Sequence, residues 1–227
     1  MPNTRYLVNP DRTILTIEEF RRIKRSGFSA SVGTRSGQSP SARTQDAAMF
    51  ELLFTTGIRL GEAASLTVSQ VQSVKIENGQ DVGLLFLDRY KWNRPRPVCI
   101  DKRVLDVLRE HTTKGRAELG GAPDSGALWL TDRGLPVHPS HWTRAFRRAA
   151  VRSDHPGRLE GVSAQALRRS WTVHICQFMR GTPGLLNATN ARYDAFVSAE
   201  EIHRIGRFFG ASDLLRGAIH QLALACR

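Results

Sequence analysis

Residues 52–66, LLFTTGIRLGEAASL, contain the joint around which the rest of the chain is predicted to fold. An apolar run ends at Gly57, and a new helical turn follows that carries Arg59 and, three residues later, Glu62. Glycine tolerates left-handed backbone, so the first helix can end here and the second can start at a sharp angle. Arg59 would then lie beside the N–H groups of a helix N-terminus and could bind a phosphate, although an Arg–Glu pair at this spacing is more often only a surface ion pair.

The charge balance of the chain is strongly basic. Its 227 residues include 33 Lys and Arg against 21 Asp and Glu, which gives a net charge of +12 and an isoelectric point near 10.7. Such an excess points to a polyanionic partner, most often nucleic acid, and the alternative is a generally basic surface. A hydrophobic content of 41% is enough for an ordinary packed core.

The sequence carries no pattern for a metal, a cofactor or a membrane span. Cys99, Cys176 and Cys226 are widely spaced and odd in number, so neither a disulfide nor a zinc site is predicted. No stretch approaches the roughly 18 apolar residues of a membrane helix, and the N-terminus lacks an apolar signal segment. We therefore expect a cytoplasmic protein with reduced thiols, no metal and no cofactor.

The spacing of apolar residues predicts a mainly α-helical chain with a small antiparallel β-sheet, which is an α+β fold. Residues 1–13 are predicted to be an irregular lead, and residues 14–227 one domain. Ser140 is expected to cap a helix. The predicted helices cover residues 16–25, 44–56, 59–65, 101–116, 140–151, 163–180, 198–209 and 213–225. The predicted strands cover residues 71–76, 82–87, 98–100 and 127–130, and the predicted loops include 26–43 and 181–197.

Two segments concentrate the positive charge. The hairpin region 88–103 has six basic and two acidic residues, a local net charge of +4. In the predicted helix 140–151, three arginines lie three and four positions apart and therefore on one face: Arg144, Arg147 and Arg148. Such a face can follow a phosphate backbone, or it can be an ordinary solvated surface.

Four segments, in order, resemble the signatures of the tyrosine recombinase, or phage integrase, family. Thr56 to Leu66 matches TG-x-R-x-x-E-x-x-x-L, and Lys91 to Val98 matches the setting of the family's hairpin lysine. Ser163 to Ser170 corresponds to S-P-H-x-L-R-H-(S/T), and Phe209 to Leu214 corresponds to L-G-H-S-D-L. The resemblance starts at about residue 13 and implies that family's catalytic-domain fold, without the core-binding domain that usually precedes it. It also implies duplex DNA as the partner.

The resemblance implies a role for six positions. In this family two arginines and a lysine bind the scissile phosphate, two histidine-type positions donate hydrogen bonds or move protons, and a tyrosine attacks to form a phosphotyrosyl link. The phosphate-binding positions are retained as Arg59, Lys91 and Arg168. The two histidine positions and the tyrosine position are substituted, as Gln165, Ala211 and His220. Cleavage needs an attacking group and a general acid, so the resemblance implies that the strand-cleaving groups are missing.

Two other residues could replace the absent tyrosine. His220 could form a phosphoramidate, but its imidazole is roughly 2 Å shorter than a phenol, and a misplacement of about 1 Å can cost ~100-fold in rate. Tyr193 lies in the predicted 181–197 loop, which could deliver it. The simplest alternative is that His220 is packed or hydrogen-bonded on a C-terminal helix.

These observations favour a protein that binds DNA without cutting it and that assists recombination or integration by a mobile element, together with a partner recombinase or a second copy of itself. The alternatives are an active recombinase that uses His220 or Tyr193, and a protein-interaction module that retains only the fold, with Trp92 and residues 26–43 as contacts. The residues predicted to contact DNA are Arg59, Lys91, Arg94, Arg96, Arg144, Arg147, Arg148, Arg168 and Arg169.

Overall fold

A computed structural model of the chain describes residues 14–28, 39–88, 95–120, 126–153, 162–180 and 212–226. Over these ranges the chain is mainly α-helical with a small antiparallel sheet, as predicted. The predicted lead 1–13, the predicted helix 198–209 and the predicted loop 181–197 lie outside the described residues. The elements are α1 Ile17–Arg22, α2 Pro40–Thr56, α3 Leu60–Ala64, α4 Val68–Ser73, β1 Val82–Leu87, β2 Arg96–Asp101, α5 Lys102–Glu110, α6 Arg116–Glu118, α7 Ser140–Arg152, α8 Ala164–Arg180 and α9 Ser212–Ala225.

Helix α2 is the centre of the core. Ser39 caps it by accepting a hydrogen bond from the backbone N–H of Ala42, and Pro40 occupies its first turn. The helix therefore begins inside the predicted loop 26–43, and this prediction is wrong for residues 40–43. The Ser-Pro start signal is hidden by the surrounding Ser- and Gly-rich composition. Most of α2 is buried, because α8, α7, α5 and α9 all pack against it.

Three further sequence predictions differ from the structure. Residues 68–73 form helix α4 instead of part of a strand, because Thr67 and Gln70 make a capping box in which each side chain bonds the other's backbone N–H. Ser140 is the first residue of α7 and not its cap; the side chain of His138 accepts from the Ser140 N–H instead. The predicted strand 127–130 is reduced to two isolated bridges, at Ala127 and Leu130.

Strands β1 and β2 form an antiparallel pair whose register fixes the two ends of the sheet. At one end Val82 faces Asp101, and at the other Leu87 faces Arg96. The turn predicted at residues 77–79 is present just before β1, where Gly79 has a φ of 80°. Strand β2 runs directly into α5, which continues through a π-helical turn, His111–Gly115, into α6.

The C-terminal helix and the N-terminal segment both pack on this core. Helix α9 contacts α8 and β2. The backbone of Leu15 is held by two side chains of α8: its N–H donates to the Ser170 hydroxyl over 2.8 Å, and its carbonyl accepts from His174 Nε2–H over 2.8 Å. Burial lowers the pKa of His174, so this imidazole is held neutral in the fold.

We expect Gly57→Ala to destabilise the fold far more than Gly79→Ala. Both glycines have a positive φ, of 62° and 80°, so each substitution costs about 1–2 kcal/mol of backbone strain. A Cβ at Gly57 would lie 2.3 Å from the Trp171 ring, whereas a Cβ at Gly79 meets nothing within 4 Å. Overpacking adds about 1–3 kcal/mol at Gly57 alone. Urea unfolding of the two variants measures the difference, and equal free energies of unfolding would contradict the packing described.

The neutral state of His174 generates a pH dependence. Because its pKa lies below the ordinary 6.5, the unfolded chain binds the proton more readily. Its contribution to stability is therefore complete above pH 6.5 and is lost as the pH falls from 6.5 toward the lower pKa of the folded state. His174→Gln, which keeps a donor for Leu15 but does not titrate, should flatten this loss. Thermal unfolding between about pH 5 and 7 compares the two proteins, and identical slopes would contradict the assignment.

Candidate functional site

The joint between α2 and α3 is built around Gly57. Its left-handed conformation ends α2, and its N–H donates to the Leu53 carbonyl over 3.0 Å. The Trp171 ring lies directly against Gly57, and Trp171 Nε1–H donates to the Thr55 carbonyl over 3.0 Å. Helix α8 is thereby fixed on the end of α2, and the residues on the N-terminal half of α8 take their position from this contact.

The side chain of Arg168 contacts the same joint. It is only 8% exposed, and its Nη1 donates to the Gly57 carbonyl over 2.5 Å. An arginine this buried needs hydrogen-bond partners, and a carbonyl freed by the end of a helix supplies one. The Gly57 carbonyl therefore joins two segments that lie 111 positions apart in the sequence.

Arg59 lies on the other side of Gly57 and is the more accessible of the two arginines. Its backbone precedes α3, and its side chain is 42% exposed. Helix α3 has only five residues, so its dipole adds little to an anion site, and the positive charge at this point comes from the guanidinium. Arg59 Nη1 lies 3.7 Å from Glu62 Oε1, and the Arg59 backbone N–H donates to Glu62 Oε2 over 2.9 Å.

Glu62 has a second cationic partner that the sequence alone does not identify. Its side chain is 2% exposed, and its Oε2 accepts from Arg96 Nη2 over 2.9 Å. Arg96 begins β2, 34 positions further along the chain, and its side chain is 10% exposed. A buried glutamate on an apolar helix face must be neutralised, which predicts a cation nearby but not which one. The structure brings Arg59, Arg96 and Arg168 together around Gly57 and Glu62.

The other residues that the sequence predicts as catalytic or DNA-binding lie elsewhere on α8, on other elements or outside the described residues. On α8, Gln165 is exposed on the first turn and Arg169 is half-buried. On α7, Trp142 and Phe146 face the core, while Arg144, Arg147 and Arg148 are exposed on the opposite side. Within the described ranges, no carboxylate lies at ion-pair distance from these three arginines. Lys91, Trp92, Arg94, Tyr193 and Ala211 lie outside the described residues.

His220 lies at the opposite end of the sheet from Arg96. On α9, its Nδ1–H donates to Asp101 Oδ2 over 2.9 Å, because a carboxylate can only accept. Its Nε2 lies 3.8 Å from Asp81 Oδ2. Asp101 ends β2 and caps α5, accepting from the Arg103 N–H over 2.8 Å. Asp101 and Arg96 are the two ends of β2, which places their backbones about 17 Å apart.

Other chemistries find little support in the described part of the chain. No group of three or more His, Cys, Asp and Glu side chains there could hold a metal ion. No helix among the described residues has the length and apolar character that a membrane crossing requires. Cys99 and Cys226 are buried free thiols, and burial raises their pKa to about 11 and about 12, which keeps both as unreactive thiols.

Comparison with known proteins agrees with this arrangement of elements. The chain is 26% identical to tyrosine recombinase XerD of Mycobacterium leprae (strain TN) over 167 residues, which is 72% of this chain and 48% of that protein. It is 29% identical to tyrosine recombinase XerC 2 of Ralstonia nicotianae (strain ATCC BAA-1114 / GMI1000) over 133 residues, which is 59% of this chain and 35% of that protein. The chain thus spans less than half the length of these curated relatives.

Solved structures share the fold. The crystal structure of XerA recombinase matches 95% of this chain and 65% of its own, with a TM-score of 0.55 and 15% sequence identity. The structure of XerH site-specific recombinase bound to its difH substrate, a pre-cleavage complex, matches 88% of this chain and 51% of its own, with a TM-score of 0.56 and 17% identity.

The family model described as "Phage integrase family" matches residues 35–178, which is more than half of the chain and includes both Arg59 and Arg168. The fold, these relatives and this match agree with the resemblance carried by the sequence motifs. The chain belongs to the phage integrase family of tyrosine recombinases.

Proposed function

We propose that this protein binds duplex DNA without cleaving it and acts as an accessory in recombination or integration of a mobile element. One observation carries the proposal: Arg168 donates to the carbonyl of Gly57, two residues before Arg59, so that two arginines far apart in the sequence meet where α2 ends and α3 begins. Guanidinium groups bind phosphate through parallel hydrogen bonds, so in this proposal the two arginines bind a single phosphate between them. The exposed Arg59 is the accessible half of this site.

The DNA backbone would extend from this site across other basic residues. In this proposal Lys91, from the segment between β1 and β2, completes the phosphate site, and the exposed face of α7 follows neighbouring phosphates. Contacts of this kind give affinity without sequence specificity. The net charge of +12 supports such a partner, as does the structure of the relative XerH, which is bound to its difH substrate. Arg94 and Arg169 are the remaining proposed contacts, whereas Arg96 is nine-tenths buried against Glu62 and is not proposed as a direct contact.

The absence of cleavage is supported by the positions that would carry the chemistry. The residue at the nucleophile position, His220, is bonded to Asp101 at the far end of the sheet. Gln165 can donate a hydrogen bond but cannot exchange a proton near neutral pH, and Ala211 can do neither. A cytoplasmic protein with residues 14–227 as one domain would then hold DNA for a partner recombinase or for a second copy of itself.

We expect no covalent protein–DNA adduct on nicked suicide duplexes that trap a phosphotyrosyl link in active relatives. Gel shifts of the same mixtures would verify that the DNA is bound, and an active tyrosine recombinase on its own site would serve as positive control. His220→Tyr should also give no adduct, because residue 220 is bonded to Asp101, whose backbone lies about 17 Å along β2 from that of Arg96. An adduct that resists denaturant and disappears in His220→Ala or Tyr193→Phe would establish an active enzyme instead.

We expect the two arginines at the α2–α3 joint and the exposed arginines of α7 to contribute differently to DNA binding. Arg59→Ala and Arg168→Ala should each weaken binding. Replacing Arg144, Arg147 and Arg148 together should lower the slope of log K against log salt by roughly 0.9 for each phosphate that is no longer neutralised. Lys114→Ala, at an exposed residue paired with Glu110, controls for net charge.

Because Arg168 is buried, the unfolding of its variant must be measured alongside its affinity. A folded Arg168→Ala protein with the affinity of the wild type would contradict the phosphate site. If the wild-type protein does not shift duplex DNA at low salt, the result would favour the alternative hypothesis, a protein-interaction module that retains only the fold.

A further inference from the structure

Arg96 combines two features that a direct DNA contact does not require. Its side chain is nine-tenths buried, and it forms a close ion pair with Glu62, whose carboxylate is almost fully buried. One of its terminal nitrogens, Nη2, makes this contact, while the other, Nη1, is buried without a hydrogen-bond partner. Most of the guanidinium is therefore turned toward Glu62 and away from solvent, which suits a residue that acts on its neighbour.

The neighbour on which Arg96 acts is Arg59, because both arginines approach the carboxylate of Glu62. Arg59 and Arg96 approach the same carboxylate at different distances: Arg96 Nη2 at 2.9 Å and Arg59 Nη1 at 3.7 Å. A buried carboxylate needs a close cation, and Arg96 supplies it. The Arg59 guanidinium is then only loosely held by Glu62 and keeps 42% of its side chain exposed.

We infer that Arg96 is a positioning residue for the phosphate site: by neutralising Glu62, it keeps the Arg59 guanidinium available to DNA. The inference rests on the proposed function. Without Arg96, Arg59 would be the remaining cation at ion-pair distance from Glu62 among the described residues, and the low dielectric around a buried carboxylate would draw the Arg59 guanidinium inward. The same ion pair ties the first residue of β2 to α3.

The inference predicts an unusual pattern of mutant effects. Arg96→Gln should weaken DNA binding, about tenfold for the loss of roughly one charged contact, because Glu62 captures Arg59. The double variant Glu62→Gln/Arg96→Gln removes the capturing charge as well, and its affinity should return to within about threefold of the wild type. A direct phosphate contact by Arg96 predicts no such recovery. A purely structural role predicts that the affinity of each variant changes only in step with its free energy of unfolding, because removing both charges also relieves the unpaired buried acid.

The experiment measures the dissociation constant of a duplex oligonucleotide at low salt for the wild type, both variants and Arg59→Ala, with urea unfolding of each protein. Arg103→Gln is the matched control, because Arg103 forms a 2.8 Å pair with the equally buried Glu51 but lies in α5, away from the joint. It should lower stability and leave the affinity of the folded protein unchanged.

The outcomes separate the two proposals. A wild-type protein that does not bind duplex DNA overturns the proposed function and this inference together. A wild-type protein that binds, with Arg96→Gln unaffected or with the double variant as weak as Arg96→Gln, overturns the inference alone. If Arg96→Gln does not fold, the double variant decides the question: affinity close to wild type supports the positioning role, and a decrease of about tenfold contradicts it.

Discussion

The contact between Gly57 and the Trp171 ring determines where the charged groups of the joint lie. The ring occupies the space that any Cβ at position 57 would need, so α8 can approach the end of α2 only at a glycine. This approach places the Gly57 carbonyl within reach of Arg168, one turn earlier on α8. The same glycine turns the chain so that Arg59 lies immediately before α3. A packing constraint in the core therefore sets the separation of the two cations.

Ion pairs of buried carboxylates also fix how the helices pack against one another. Glu51 on α2 pairs with Lys24 at 2.7 Å and with Arg103 at 2.8 Å, which joins α2 to the turn after α1 and to α5. Asp46 on α2 lies 2.7 Å from His141 Nε2 of α7. Each acid is shielded from water, so leaving it without its partner would cost several kcal/mol, and such pairs select one arrangement of helices more than they add net stability. Arg59, a partner of Glu62 with 42% of its side chain exposed, is the most exposed of the described partners of these three acids.

The sequence predicts the joint well because its signals are local. A glycine after an apolar run, followed by a cap and a short helix, depends on neighbouring residues only. Helix α4 is mistaken for a strand because Val71, Val74 and Ile76 suggest β structure, while the Thr67–Gln70 capping box favours the helix. The pairing of Glu62 with Arg96 cannot be predicted, because any of several basic residues in the hairpin could neutralise a buried acid, and the β1–β2 register decides which one does.

The register of the two strands also separates the contacts of Arg96 from those of His220. Arg96 enters the Glu62 pair at one end of β2, and Asp101 holds His220 at the other. Both aspartate oxygens have partners, since Oδ1 caps α5 and Oδ2 accepts from the imidazole, so moving His220 toward the joint would leave a buried carboxylate oxygen without its donor. Helix α9 is further held by the Arg103 Nη2 bond to the Ala223 carbonyl. The bonds that dock α9 on the sheet are therefore the same bonds that hold residue 220 at the Asp101 end of β2.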